Sequence, residues 1–223
     1  MTDRPFYEIG LRSNFSFLEG ASHAEELVER ALFLGLSGLG LADRNTVAGV
    51  VRLHAAAKLN NLEFRPGARL VFDDGTPELL AYPMNRKGWG NLCRMLSEGN
   101  LRSKKGICTL WEKDLMAWSE DLLFVAMPPS LPEAADVKAF EALLARIRPH
   151  LGDRLYLALV PQYDGFDQKT FHELDGIARR LGVPLVATND AFYHAPDRKP
   201  VADVVVAIRE HVPIAEAGLQ LHA

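Results

Sequence analysis

Apolar residues follow two alternating rhythms along this chain. Short continuous runs predict buried strands at 6–12, 37–42, 122–127, 154–160 and 185–188. Between them apolar positions recur every three or four residues, which predicts helices over 22–34, 47–59, 88–97, 134–148, 168–181 and 201–211. Ser22 and Glu25 read as a capping box for the first helix, and Gly35 as its stop. Val47, Val50, Val51 and Leu53 lie on or near the apolar stripe of the second. Runs at 69–72 and 78–83 flank Asp73, Asp74, Gly75 and Thr76, a pattern that predicts a hairpin. Residues 98–106 are polar and basic and predict a loop. Thr109 then predicts the cap of a short helix ending at Trp118, and Pro128, Pro129 and Pro132 interrupt the chain before the next helix.

A strand–helix unit repeated in this way predicts an α/β fold with a mostly parallel sheet. Periodicity alone allows either closure into a barrel or an open doubly wound sheet. A chain of 223 residues accommodates one large domain or two small ones. With 48% hydrophobic and 24% charged residues it needs no covalent staples to hold a core. The net charge of −4 excludes a protein-wide nucleic-acid footprint. Cys93 and Cys108 fit neither a zinc spacing nor a disulfide framework, and so predict a reducing, cytoplasmic setting. No run is long and apolar enough to predict a membrane span, and MTDRPFYEIG lacks the apolar region of a signal peptide.

The candidate chemistry begins where the first strand ends. Gly10, Leu11 and Arg12 are followed by Ser13, Asn14, Phe15, Ser16 and then Gly20 and Ala21. This stretch resembles the opening of the PHP domain (polymerase and histidinol phosphatase type) that begins bacterial C-family DNA polymerases, closest to their error-prone branch. Four further segments are similar to that family in the same order: LADRNTVAGVV from Leu41, the run Asn85 to Leu92, Ala187 to Asp190, and DVVVAIREHV from Asp203. The resemblance covers nearly the whole chain. It implies a distorted (β/α)7-type barrel, a single domain over 1–223, and an end short of the polymerase palm.

PHP-type sites gather His, Asp and Glu side chains around metal ions, which generate hydroxide and neutralise phosphate charge. Of the positions implied by the resemblance, Asp43 and Asp190 remain carboxylates. The others have changed: Gly10 and Arg12 stand at the first two histidines, Arg44 beside Asp43, Arg69 at a glutamate, Ala158 at a later glutamate, and Phe192 at a late histidine. A further family histidine falls near Glu78. The expectation is a degenerate metal site with no metal and no catalytic residue, in which Arg12 and Arg44 pair with the surviving aspartates.

No Gly-x-Ser-x-Gly elbow, phosphate-binding glycine loop or helical histidine pair offers another centre. His194 is the histidine nearest a strand end and His222 lies at the chain's end; both read as surface or capping groups. Arg86, Lys87, Arg94, Arg102, Lys104 and Lys105, with Trp89 and Trp111, form a basic stretch that reads more readily as a solvated face than as a nucleic-acid contact. Phe15 and Phe17 read as core in preference to a docking surface. Three functional readings follow. The first is a non-catalytic module of an error-prone polymerase, bracing the remainder of that chain and docking other mutagenesis or replication proteins. The parent would act on DNA across lesions, in repair and induced mutagenesis, with Mg²⁺. The second is a metal-dependent phosphoesterase or 3′–5′ exonuclease with an atypical ligand set. The third is an anion-binding cleft made cationic by Arg12, Arg44 and Arg69.

Overall fold

A computed structural model describes residues 5–129, 131 and 133–218. Pro132 and His222, used in the sequence reading, lie outside the described residues. The chain forms two compact units: residues 1–67 with 189–223, and residues 68–188.

In the first unit, β1 (Tyr7–Leu11), β2 (Gly38–Leu41) and β4 (Glu63–Arg65) make a parallel sheet in the order β1-β2-β4, and β3 (Asp43–Arg44) is a two-residue strand just beyond β2. Parallel neighbours need crossovers, which α1 (Ala24–Phe33) and α2 (Val50–Leu59) supply. Ala24, Leu27, Val28 and Ala31 repeat at helical spacing and bury α1 against Leu39, Leu41, Leu53 and Ala57. Burying a side chain such as Leu27 or Val28 contributes about 1.5–3 kcal/mol. Glu8 pairs with Leu39 but Leu11 pairs with Leu41, so β1 holds one extra residue there, a bulge that contains Gly10 and re-aims the strand end. Helices α7 (Lys199–Glu210) and α8 (Ile214–Ala217) complete this unit, and His211 ends α7 in the left-handed conformation.

In the second unit, β5 (Ala68–Leu70), β6 (Leu79–Pro83), β7 (Leu122–Ala126), β8 (Leu155–Leu159) and β9 (Leu185–Ala187) pair in sequence order. The β5–β6 and β6–β7 pairs are antiparallel, and β7–β8 and β8–β9 are parallel. The helices are α3 (Arg86–Leu101), α4 (Glu112–Trp118), α5 (Ala134–Leu151) and α6 (Asp167–Leu181). Asn85 caps α3 by accepting from Gly88 N at 3.0 Å, and Asn91 Nδ2 donates to the Glu120 carbonyl at 2.8 Å. A Cβ on Gly88 would overlap the Asp121 carbonyl oxygen, so the motif from Asn85 to Leu92 serves to press α3 against the entry to β7.

The fold is thus α/β with mostly parallel strands. Neither the three-stranded sheet nor the β5–β9 sheet closes on itself among the described residues. Several predicted boundaries shift. The first cap is His23 with Glu26, one residue later than expected, because Ser22 is engaged elsewhere. Helix α3 runs on through Leu101 where a loop was expected. Its last turn is held by the Trp118 indole donating to Glu98 at 3.0 Å and by Arg102 bonded to both oxygens of Asp114. The cap of α4 is built from Trp111 and Asp114, not Thr109. Strand β4 has no counterpart in the predicted elements.

Candidate functional site

In the first unit the loop from Ser13 to Ser22 is folded around one carboxylate. Asp43 is fully buried, and its Oδ1 accepts from Ser13 N at 2.7 Å and Ser16 Oγ at 2.8 Å, its Oδ2 from Ser13 Oγ at 2.8 Å. Ser16 Oγ in turn accepts from Arg44 N at 3.0 Å. Burial pushes the Asp43 carboxyl above the usual range, and the serine hydrogen bonds oppose that rise without cancelling it. Two glycines make the arrangement possible. A Cβ on Gly20 would overlap the Ser13 carbonyl oxygen, and one on Gly49 would overlap Asp43 Oδ2.

Beside this loop lies the strand-end pair foreseen in the sequence. Arg12 is nearly buried and its Nη2 reaches Asp190 Oδ2 at 2.8 Å. Its guanidinium carbon lies 4.0 Å from the centroid of Phe192, a cation–π contact. Glu19 links the two arginines, at 3.9 Å from Arg12 Nη1 and 2.8 Å from Arg44 Nη1. Asp190 adopts a left-handed backbone. The 189–192 segment is stitched to the loop by Arg12 N donating to the Ala191 carbonyl at 3.1 Å and Ala21 N to the Phe192 carbonyl at 2.9 Å. Buried Glu8 accepts from Asn189 Nδ2 at 2.8 Å and from Gly10 N at 3.1 Å. Ser22 Oγ sits 2.7 Å from His194 Nδ1 and accepts from His194 N at 3.0 Å, so His194 is a tie within the unit rather than a surface group.

The expected pairing of arginine with Asp43 is therefore corrected. Arg44 goes to Glu19, and Asp43 is satisfied by serines, whose short hydroxyls reach a buried carboxylate without bringing a second charge out of water. Phe15 is half-buried and Phe17 is 81% exposed, which corrects their reading as core. Glu8, Glu19, Ser13 and Ser16 were not singled out as site residues. The available signals were an acidic residue at a buried strand position and the proximity of Glu19 to Arg12.

In the second unit Arg69, almost wholly buried, pairs with Glu78 at 2.9 Å across the β5–β6 hairpin. Arg69 and Glu78, which the resemblance set at or near two ligand positions, are thus partners of each other. Ala158 is a fully buried methyl on β8. Asp74 caps the hairpin turn and the start of α4, accepting from Thr76 Oγ1 at 2.7 Å and Glu112 N at 2.7 Å. Burial raises its carboxyl, but these donors outweigh burial and leave it below the usual range. Much of the basic stretch is neutralised locally: Lys87 pairs with Glu120 at 2.6 Å, and Arg102 pairs with Asp114 while lying over Trp111. Burial, with Asp73 nearby, pushes the Cys108 thiol up to about 11, and burial also raises Cys93, so neither is an activated nucleophile. Among the described residues no three His, Cys, Asp or Glu side chains cluster as metal ligands, and no helix is long and apolar enough to cross a membrane.

A family model described as the PHP domain matches residues 8–160. The error-prone DNA polymerase of Sinorhizobium medicae is 60% identical over 220 residues, covering 98% of this chain and 19% of that protein. The error-prone DNA polymerase of Caulobacter vibrioides is 44% identical over 220 residues, covering 98% of this chain and 20% of that protein. The chain spans about a fifth of the length of the curated relatives it matches. Among solved structures, an amidohydrolase from Chromobacterium violaceum, holding sulfate and no metal, superposes with a TM-score of 0.63 at 15% identity over 85% of this chain and 88% of that one. A Bifidobacterium adolescentis protein provisionally described as a metal-dependent phosphoesterase gives 0.57 at 17% identity over 86% and 88%. At these identities the likeness concerns the fold.

Proposed function

This chain belongs to the PHP domain family, and from that premise we propose that it is a non-catalytic module of an error-prone DNA polymerase whose ancestral metal centre has been replaced by ion pairs. One observation carries the reading: residues at ligand positions are bonded to one another. Arg12 holds Asp190 and stacks on Phe192, and Arg69 holds Glu78. A guanidinium is a permanent cation and cannot ligate a metal. Asp43, the other surviving carboxylate, already spends both oxygens on Ser13 and Ser16. The residues present therefore do not fit a PHP-type metal cluster.

On this reading the module braces the remainder of the polymerase chain. The parent enzyme copies damaged DNA in the cytoplasm, in repair and induced mutagenesis, with Mg²⁺ held by residues elsewhere. Other mutagenesis or replication proteins are further partners. The single-domain, (β/α)7-type barrel of the family belongs to the same proposal. The competing phosphoesterase or 3′–5′ exonuclease reading rests on Asp43 and Asp190, and their partners argue against it. The anion-cleft reading is opposed by Arg12, Arg44 and Arg69 each having a carboxylate partner.

The test is metal content together with hydrolysis. We expect the purified chain to hold less than 0.1 equivalent of Zn, Mn or Fe, and to cleave neither a nitrophenyl phosphoester nor a primer 3′ end in the presence of Mn²⁺. Two or more tightly bound metals per chain, or cleavage abolished by Asp43→Ala, would overturn the proposal.

A further inference from the structure

The first unit contains a cavity that has no part in the ligand positions described above. It occupies about 130 Å³ between α1, the sheet and the segment following Asn189. Leu27, Leu39 and Ala191 give it apolar walls, and Phe6 and Leu34, which are 41% and 54% exposed, stand at its rim. An apolar cavity of roughly 150 Å³ takes one benzene-sized group; this one, open on one side and lined also by Asn189, Tyr193 and His194, has room for a single leucine or phenylalanine side chain. Glu8 also lines it, but its carboxylate is engaged by Asn189 and Gly10, so an anion is unwelcome at that end. The opposite holds for Arg30. Its guanidinium lies 4.8 Å from the Phe33 ring centroid, while its solvent-shielded Nε has no hydrogen-bond partner among the described residues.

We propose that this cavity is an anchor site for a segment of the polymerase outside these 223 residues, one that inserts a leucine- or phenylalanine-sized side chain and sets a neighbouring carboxylate on Arg30. Two observations favour this occupant. Charge complementarity at Arg30 calls for an acidic neighbour to the apolar anchor. The relatives that match 98% of this chain are about five times its length, so a polymerase of that kind carries about four-fifths of its residues elsewhere, tethered at high effective concentration. The inference rests on the bracing role proposed above and names the place where it acts.

Amide hydrogen exchange separates the two. The 223-residue chain is compared with the full-length polymerase, and each with its Leu34→Asp and Arg30→Glu variants. We expect α1 amides to exchange at least tenfold more slowly in the full-length protein. Both substitutions should remove that protection while leaving protection elsewhere in the module intact. Leu34 and Arg30 lie at the cavity mouth, and melting of the variant 223-residue chains shows whether they fold; should either fail, the wild-type comparison still decides. Equal α1 exchange in both proteins, with slowing elsewhere in the module, would overturn the anchor site and leave the bracing role standing. No slowing anywhere would overturn both. Slow α1 exchange in the 223-residue chain that grows with concentration would assign the cavity to a second copy and also defeat the proposal.

Discussion

Gly49→Ala tests how tightly the loop is built around Asp43. Gly49 precedes α2 with φ −73°, a conformation alanine adopts freely. On backbone grounds alone the substitution stabilises by about 0.4–1 kcal/mol, because the unfolded chain loses freedom. The new methyl, however, would overlap Asp43 Oδ2 and lie 2.8 Å from Ser13 Oγ. The Ser13–Asp43 bond at 2.8 Å must open, and the two bonds to Oδ1 are strained as the carboxylate turns. A hydrogen bond to a charged group contributes about 1.5–3 kcal/mol. Losing one, against the gain in backbone preference, leaves a net cost of about 0.5–2.5 kcal/mol. For a chain of this size that lowers Tm by about 1–10 °C. Thermal melting in the wild-type and Asp43→Ala backgrounds reads the effect. In the second background the obstructing oxygen is gone, so Gly49→Ala should become neutral or stabilising, a coupling only a direct contact produces. Equal cost in both backgrounds, or a Gly49→Ala protein as stable as wild type, would refute the account.

Two further outcomes follow from the ion pairs. Arg12→Ala removes the guanidinium bonded to the half-buried Asp190 and leaves Glu19 to Arg44, and should cost about 3–5 kcal/mol in urea unfolding; Arg12→Met should not recover this loss, since packing without charge does not replace the ion pair with Asp190. Asp114→Asn concerns acid stability. Burial raises the Asp114 carboxyl, but the Arg102 and Trp111 bonds outweigh burial and hold it below its usual value. Its contribution is therefore complete above the unfolded value of about 3.9 and is lost as pH falls through the lower folded value. The asparagine variant should be less stable at pH 7, and its midpoint should fall less steeply than wild type's below pH 4.

The sequence was most readable where one physical signal dominated. Leu122–Ala126 and Leu155–Leu159 are continuous apolar runs, and both are central strands. Boundaries shifted where distant side chains intervened. Ser22 has the chemistry of a cap but is taken by His194, which lies 172 residues away, so the capping pair moved to His23 and Glu26. The last turn of α3 depends on Trp118 and Asp114, which no local window contains. Strand β4 is three residues long with charges at two of them, too short for alternation to register. At the site, the Arg12–Asp190 pair was legible because the family resemblance placed an arginine and an aspartate at positions of one ligand set. The serine cradle of Asp43 was not, because hydroxyls at 13 and 16 read equally well as ordinary loop residues.

The stack of Arg12 between Asp190 and Phe192 also bears on what this molecule can become. A step back toward a ligand-bearing strand end would begin with one histidine at position 12. That single change would remove the buried guanidinium that Asp190 and Glu19 share before any metal could compensate its loss. The same holds from the other side, because removing Asp190 first would take from buried Arg12 its shortest ion pair and leave it Glu19 at 3.9 Å. Intermediates on either route are less stable than both ends, and proteins tolerate only a few kcal/mol of such loss. If the proposed replacement of a metal site by ion pairs holds, this coupling acts as a ratchet: substitutions can accumulate around the pair, while each single step away from it carries a cost in stability.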